Sequence, residues 1–237
     1  MKRRTFAYIV CSPHPRVGVT TTARLLGDYF IYQRRGFAGF DTDAHETPFA
    51  SRFPNEARVT DLAMIQGQIS LFDRLLVNDE TAKVVDVWNR SFKQFFSIVR
   101  EVGFIEEARR LSIEPVILFN VDETMACLEA AMQIKRQWPE ISMVIVNNEG
   151  AAPLHEEVHD ILAHYPSERN FQIPALDPIV QKAMEKPGFS LSRFLLAPPT
   201  DMSIVVRTAL RVWLGRVFAQ FQSFELRIAL SDTPFLS

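Results

Sequence analysis

Short apolar runs alternate with stretches of helical rhythm along most of the chain, and this alternation restricts the fold more than any other feature. The runs are FAYIVCS (6–12), FAGFDTD (37–43), AKVVDVW (82–88), PVILFNV (115–121) and SMVIVNN (142–148). Stretches such as TTTARLLGDYFIYQRR (20–35) and DETMACLEAAMQIKRQW (122–138) lie between them. A strand that is apolar on both faces needs cover on both faces, and amphipathic spacers of ~10–15 residues supply it through right-handed βαβ crossovers. The pattern predicts an α/β fold: a doubly wound, mostly parallel sheet with helices on both faces. With no repeat, linker or low-complexity tract in sight, residues 1–237 read as a single domain.

Open parallel sheets bind ligands at the carboxyl ends of their strands. The polar residues gather at those ends: Ser12 to Thr22, Asp41 to His45, Asp86 to Arg90, and Asn147 to Glu149.

Composition narrows the partners. The 237 residues are 47% hydrophobic, enough for a large core, and the formal charge of −2 gives no global field to attract nucleic acid or an anionic membrane. Cys11 and Cys127 are too few to staple a secreted fold and read as buried free thiols. The basic start MKRR precedes an apolar run of only Phe6 to Cys11, shorter than the ~7–15 residues of a signal peptide. No run approaches the ~20 residues of a membrane span. The expectation is a cytoplasmic protein without integral membrane association. Near the end, Val206, Leu210, Trp213, Leu214, Val217, Phe218 and Phe221 form one helical stripe, with Arg207, Arg211 and Arg216 off it. Such a helix closes the sheet or lies on a membrane surface.

The stretch SPHPRVGVTTTARLLGDYF (12–30) places a loop between a strand and a helix that opens on Thr20-Thr21. Backbone N–H groups and the helix dipole converge there into an anion site, and the Thr20 hydroxyl stands where a phosphate-binding loop keeps its magnesium ligand.

This stretch resembles the ParA/MinD family of partitioning ATPases, whose deviant Walker A loop reads K-G-G-x-G-K-T-T-T. Val17, Gly18, Thr20, Thr21, Thr22 and Ala23 fit that pattern. His14 stands in place of the signature lysine, Pro15 and Arg16 replace two glycines, and Val19 replaces the P-loop lysine. The resemblance implies further roles. Asp41 would hold the magnesium shell, Asp43 would orient the attacking water, and Asp86 in KVVDVW would reach magnesium through water. Asn147 at the end of VIVNN would read adenine. It also implies ATP and Mg2+ as ligands, a homodimer, and a protein partner or DNA as cargo.

The departures weaken the phosphate site. A hydrogen bond to a charged group contributes roughly 1.5–3 kcal/mol, so losing the lysine at Val19 costs about tenfold to a hundredfold in phosphate affinity. Pro15 brings no N–H, a side chain at Arg16 restricts the turn, and His14 is short and mostly neutral near pH 7. Arg16 offers partial compensation through its bidentate guanidinium. The expectation is weak, magnesium-dependent nucleotide binding and little or no ATPase activity, with a non-hydrolysing scaffold as the alternative. A third reading comes from LHEEVHDILAH (154–164), where His155, Glu156 and His159 form H-E-x-x-H, a zinc-enzyme pattern. His164 comes one residue too early for the extended form with three histidines, and a solvated helix face explains the stretch as well.

Overall fold

The structure is a computed structural model that describes residues 4–154, 170–184, 186 and 189–231. The strands are β1 (Thr5–Cys11), β2 (Phe37–Asp41), β3 (Ala57–Val59), β4 (Ala82–Asp86), β5 (Ile113–Asn120), β6 (Ser142–Asn148) and β7 (Asn170–Ile173). The helices are α1 (Val19–Tyr32), α2 (Ile65–Leu75), α3 (Phe92–Glu101), α4 (Phe104–Arg110), α5 (Met125–Gln137), α6 (Pro178–Met184), α7 (Leu191–Leu196) and α8 (Ile204–Ser231), with a 3-10 turn at Asn89–Ser91. The sheet runs β3-β2-β4-β1-β5-β6-β7, and every neighbouring pair is parallel. The expected doubly wound α/β fold is therefore what the chain forms.

The apolar runs have the cause that their composition suggests. Along β1, Ala7, Ile9 and Cys11 face a core shared with α2 to α5, while Tyr8 and Val10 face a second core built with α1, α7 and α8. Side chains alternate along a strand, so a central strand buried on both faces has no polar position to spare. At the centre of the sheet β1 lies between β4 and β5. The chain goes from β1 through α1 toward β2 on one side, and later from β4 through α3 and α4 to β5 on the other, so the crossovers part around β1. That reversal of strand order is where an open sheet leaves a crevice beyond its carboxyl ends.

Helix α8 closes one face. Leu210, Trp213, Leu214, Val217, Phe218 and Phe221 are buried on that core, and the stripe continues through Phe224 and Ile228. Glu225 anchors it, accepting from the Tyr29 hydroxyl at 2.8 Å, the Tyr8 hydroxyl at 3.2 Å and the Arg35 guanidinium at 2.8 Å. Arg211 and Arg216 face outward. Among the described residues no helix is long and apolar enough to cross a membrane.

Two boundaries differ from the periodicity. Residues 59–78 have a helical rhythm in the sequence, but they resolve into the end of β3, a turn in which Ala63 N–H donates to Asp61, and α2 from Ile65. The 122–138 helix begins only at Met125, where Thr124 caps it by accepting from Cys127 N–H at 3.2 Å. The H-E-x-x-H residues His155, Glu156 and His159 lie outside the described residues.

Candidate functional site

The loop from Ser12 to Gly18 carries the chain from the end of β1 to the start of α1. Gly18 is the N-terminal cap of α1 and sits at φ +85, in the left-handed region. A Cβ at this position would come within 2.0 Å of Asn148 Nδ2, so both conformation and close approach demand glycine. The start of the helix is held by Thr22, whose N–H and hydroxyl both donate to Gly18 O at 2.9 and 3.1 Å. Asn120, at the end of β5, donates to Val17 O at 3.2 Å and to Thr22 Oγ1 at 2.9 Å. Arg16 also adopts positive φ, +64, the turn that a glycine makes without strain. Val19, the first residue of α1, rests against the apolar core beneath it.

On the other side of β1, Asp41 and Asp86 end β2 and β4 in the same register. Asp86 is buried, and its Oδ1 has no hydrogen-bond partner among the described residues. Burial and then the neighbouring charge of Asp41 push the Asp86 carboxyl up to about 7, against the pull of Thr20 and Arg24. Asp41 uses both oxygens on backbone: Oδ1 accepts from Asp43 N–H at 3.0 Å, and Oδ2 from Phe49 and Ala50 N–H at 2.8 and 2.9 Å. Burial still holds its carboxyl above the ordinary range. Asp43 is buried and caps the next turn, accepting from His45 and Glu46 N–H at 3.0 and 3.1 Å. The segment 43–50 is thereby shaped by two carboxylates together with its own turn, in which Thr47 N–H donates to Asp43 O at 3.2 Å.

The cation that acts on Asp86 is Arg24, which the motif did not single out. It lies one helical turn after Thr20 and donates from Nε to Pro48 O at 3.2 Å, tying α1 to the 43–50 segment. The i, i+4 spacing from Thr20 is the signal that could have found it. His14 pairs with a different carboxylate. Its Nδ1 lies 2.6 Å from Asp122 Oδ2 and 3.2 Å from Thr124 Oγ1, at the junction of β5 and α5. Burial raises the Asp122 carboxyl, and the hydrogen bonds from Thr124 and His14 more than offset this, so it lies below its usual range.

A cavity of about 200 Å³ opens beside the start of α1, toward the β6 and β7 ends. Thr21, Asn148 and Gly150 stand on its polar side, and Pro174, Leu176 and Trp213 on its apolar side. Of the two asparagines ending β6, it is Asn148 that lines the cavity. Asn147 is buried, and its Oδ1 has no hydrogen-bond partner among the described residues. The structure thus gathers Thr20, Asp41, Asp43 and Asp86 at one place, puts Thr21 and Asn148 at the adjoining cavity, and leaves Arg16 exposed on the loop between.

No known family profile matches the chain, and no curated protein matches it by sequence. Similar solved structures exist. One is a nucleotide-binding protein from Archaeoglobus fulgidus in complex with ADP, 15% identical, covering 75% of this chain and 84% of that one, with a TM-score of 0.45. Another is a protein assigned to plasmid partition in Borrelia burgdorferi B31, bound to AMPPNP; it is 10% identical, covers 93% of this chain and 100% of that one, and has a TM-score of 0.43.

Proposed function

We propose that this chain is a ParA/MinD-like P-loop protein that binds an adenine nucleotide weakly and with Mg2+, hydrolyses it slowly or not at all, and positions DNA or another cargo. The observation that carries the reading is the buried Asp86 carboxyl, its Oδ1 without a hydrogen-bond partner among the described residues, with Thr20 acting on it from the glycine-capped start of α1. A helix N-terminus attracts phosphate, and a hydroxyl beside a buried carboxylate is a hard oxygen set suited to magnesium. The orphaned Asp86 Oδ1 fits such an ion, because a buried oxygen without a partner calls for one. Thr20 and Asp86 would hold Mg2+, which when bound neutralises charge on the phosphate oxygens. Asp41 keeps the 43–50 segment in place beside Asp86, with which it shares a register. Asp43 is the candidate to orient a water.

The same geometry favours the scaffold reading as the second choice. Val19 supplies no charge, and His14 is tied to Asp122 within its own chain. Each missing cationic contact lowers phosphate affinity and transition-state stabilisation together.

Titration calorimetry with ATP, in magnesium and in chelator, beside a phosphate-release assay, tests the proposal. Weak binding that needs magnesium is the expected result, with turnover near background. Micromolar affinity in chelator would sink the magnesium role, and no binding in either condition would leave only the scaffold.

A further inference from the structure

Three residues that stand apart from Thr20 and Asp86 meet beyond the carboxyl ends of β1 and β5. His14 comes from the loop after β1, Asp122 from the turn after β5, and Cys127 from the first turn of α5. One imidazole nitrogen, one carboxylate oxygen and the thiol sulfur all lie within 4.8 Å of one another. Nitrogen, oxygen and sulfur donors brought together from three segments are a metal-ligand set in composition as well as in spacing.

The set is held in place by Thr124. Its N–H and hydroxyl donate to Asp122 Oδ1 at 3.0 and 2.6 Å, which leaves Oδ2 facing His14 Nδ1 at 2.6 Å. Its Oγ1 also accepts from Cys127 N–H at 3.2 Å, so one residue positions both the carboxylate and the cysteine. Outer partners of this kind orient metal ligands. The contacts of the sulfur to Ser12 Oγ and Asn120 O are long, at 3.9 Å each. Side-chain exposures of 29% for His14 and 17% for Asp122 give solvent a way in, while Cys127 is buried. An ion held tetrahedrally at about 2.0–2.3 Å keeps such ligand atoms roughly 3.3–3.7 Å apart, so side-chain shifts of about 1 Å convert this cluster into a coordination site.

We infer that His14, Asp122 and Cys127 bind one Zn2+ ion, with the fourth position left to water. Imidazole and thiolate suit zinc, whereas Mg2+ takes hard oxygen ligands, so this ion differs from the one placed at Thr20 and Asp86. One thiolate and one carboxylate balance the two positive charges, which leaves no net charge in a largely buried place. Burial pushes the Cys127 thiol up to about 11, so without an ion it keeps its proton, and coordination removes it. Binding therefore releases the thiol proton to solvent, and the imidazole carries its hydrogen on Nε2 while Nδ1 faces the ion. The ion ties the loop after β1 to the start of α5. This inference does not depend on the nucleotide reading.

The test uses Co2+, which replaces zinc in such sites and reports on its ligands by absorption. Titrating the metal-stripped full chain with Co2+ is expected to raise a thiolate-to-cobalt charge-transfer band in the near ultraviolet that saturates at one ion per chain. One equivalent of Zn2+ removes the band, and a large excess of Mg2+ does not. Cys127→Ser abolishes it, and His14→Ala weakens Co2+ binding at least tenfold, since even outer partners of a metal site cost that much. Zinc or cobalt held by His155 and His159 brings no thiolate and gives no such band. Absence of the band in the wild type overturns the assignment and leaves a hydrogen-bonded cluster. A band that persists in Cys127→Ser, and so comes from Cys11, overturns it as well. His14 is half-exposed, so His14→Ala decides the matter should Cys127→Ser not fold, and unchanged Co2+ affinity in that variant is equally fatal.

Discussion

At the scale of single residues, Asp86 is the group whose protonation has a consequence in the protein without ligand. Its carboxyl titrates at about 7 in the folded chain, against about 3.9 when unfolded. The folded state therefore holds a proton that the unfolded state has lost between these values. The stability this contributes is fully present below pH 4 and disappears as pH rises toward and through 7. A shift of about three units corresponds to on the order of 4 kcal/mol. In Asp86→Asn the group no longer titrates. Melting curves in chelator are expected to show the wild type losing stability relative to Asp86→Asn from pH 5 to 8. Parallel curves would mean that Asp86 is solvated and that its unpaired Oδ1 has found water.

At the scale of elements, the loop between β1 and α1 holds a phosphate-binding shape with altered chemistry. Gly18 keeps the left-handed cap, and Arg16 takes positive φ although it has a Cβ, a conformation that costs a side chain on the order of 1 kcal/mol. The triple change Pro15→Gly, Arg16→Gly, Val19→Lys restores an N–H, two unrestricted positions and a charge on a loop already anchored by Asn120. We expect at least tenfold tighter ATP binding by calorimetry. Unchanged affinity would mean that phosphate does not sit on this loop.

Much of this was legible in the sequence because elements announce themselves by periodicity. Five apolar runs become strands β1, β2, β4, β5 and β6, and parallel pairing brings their polar ends to one edge whatever the finer geometry. That is why Thr20, Asp41, Asp43 and Asp86 could be grouped without coordinates. What stayed hidden depends on phase and on distant contacts. Whether Asn147 or Asn148 lines the cavity is set by which face of β6 each takes, and VIVNN is equally apolar on both. Asp28 reads as a polar residue on an amphipathic helix until Ser192, 164 positions later, is seen to donate to it. His14 and Asp122 are likewise 108 positions apart. Edge strands β3 and β7 are short, at three and four residues, and give little periodicity to read.

At the scale of the whole molecule, the arrangement bears on turnover and assembly together. A protein that dimerises through its nucleotide must send a cation to the phosphates, from its own loop or from a second copy. Here Val19 rests on the apolar core, His14 is joined to Asp122 and Thr124, and Arg24 is engaged with Pro48 O. Loss of one well-placed donor in comparable oxyanion sites costs about 2.7–4 kcal/mol, or roughly a hundredfold to a thousandfold in rate. With two cations displaced, phosphate release is expected near background, and any dimer is expected to form without ATP and to persist with it. Light scattering with and without ATP and magnesium, run beside the release assay, reads both quantities on one sample. Robust turnover that vanishes in Asp43→Ala would overturn this view. It would then fall to Arg16, exposed on the loop with a guanidinium able to grip two phosphate oxygens, to supply the missing charge. Loss of that turnover in Arg16→Ala with binding retained would identify it as the source.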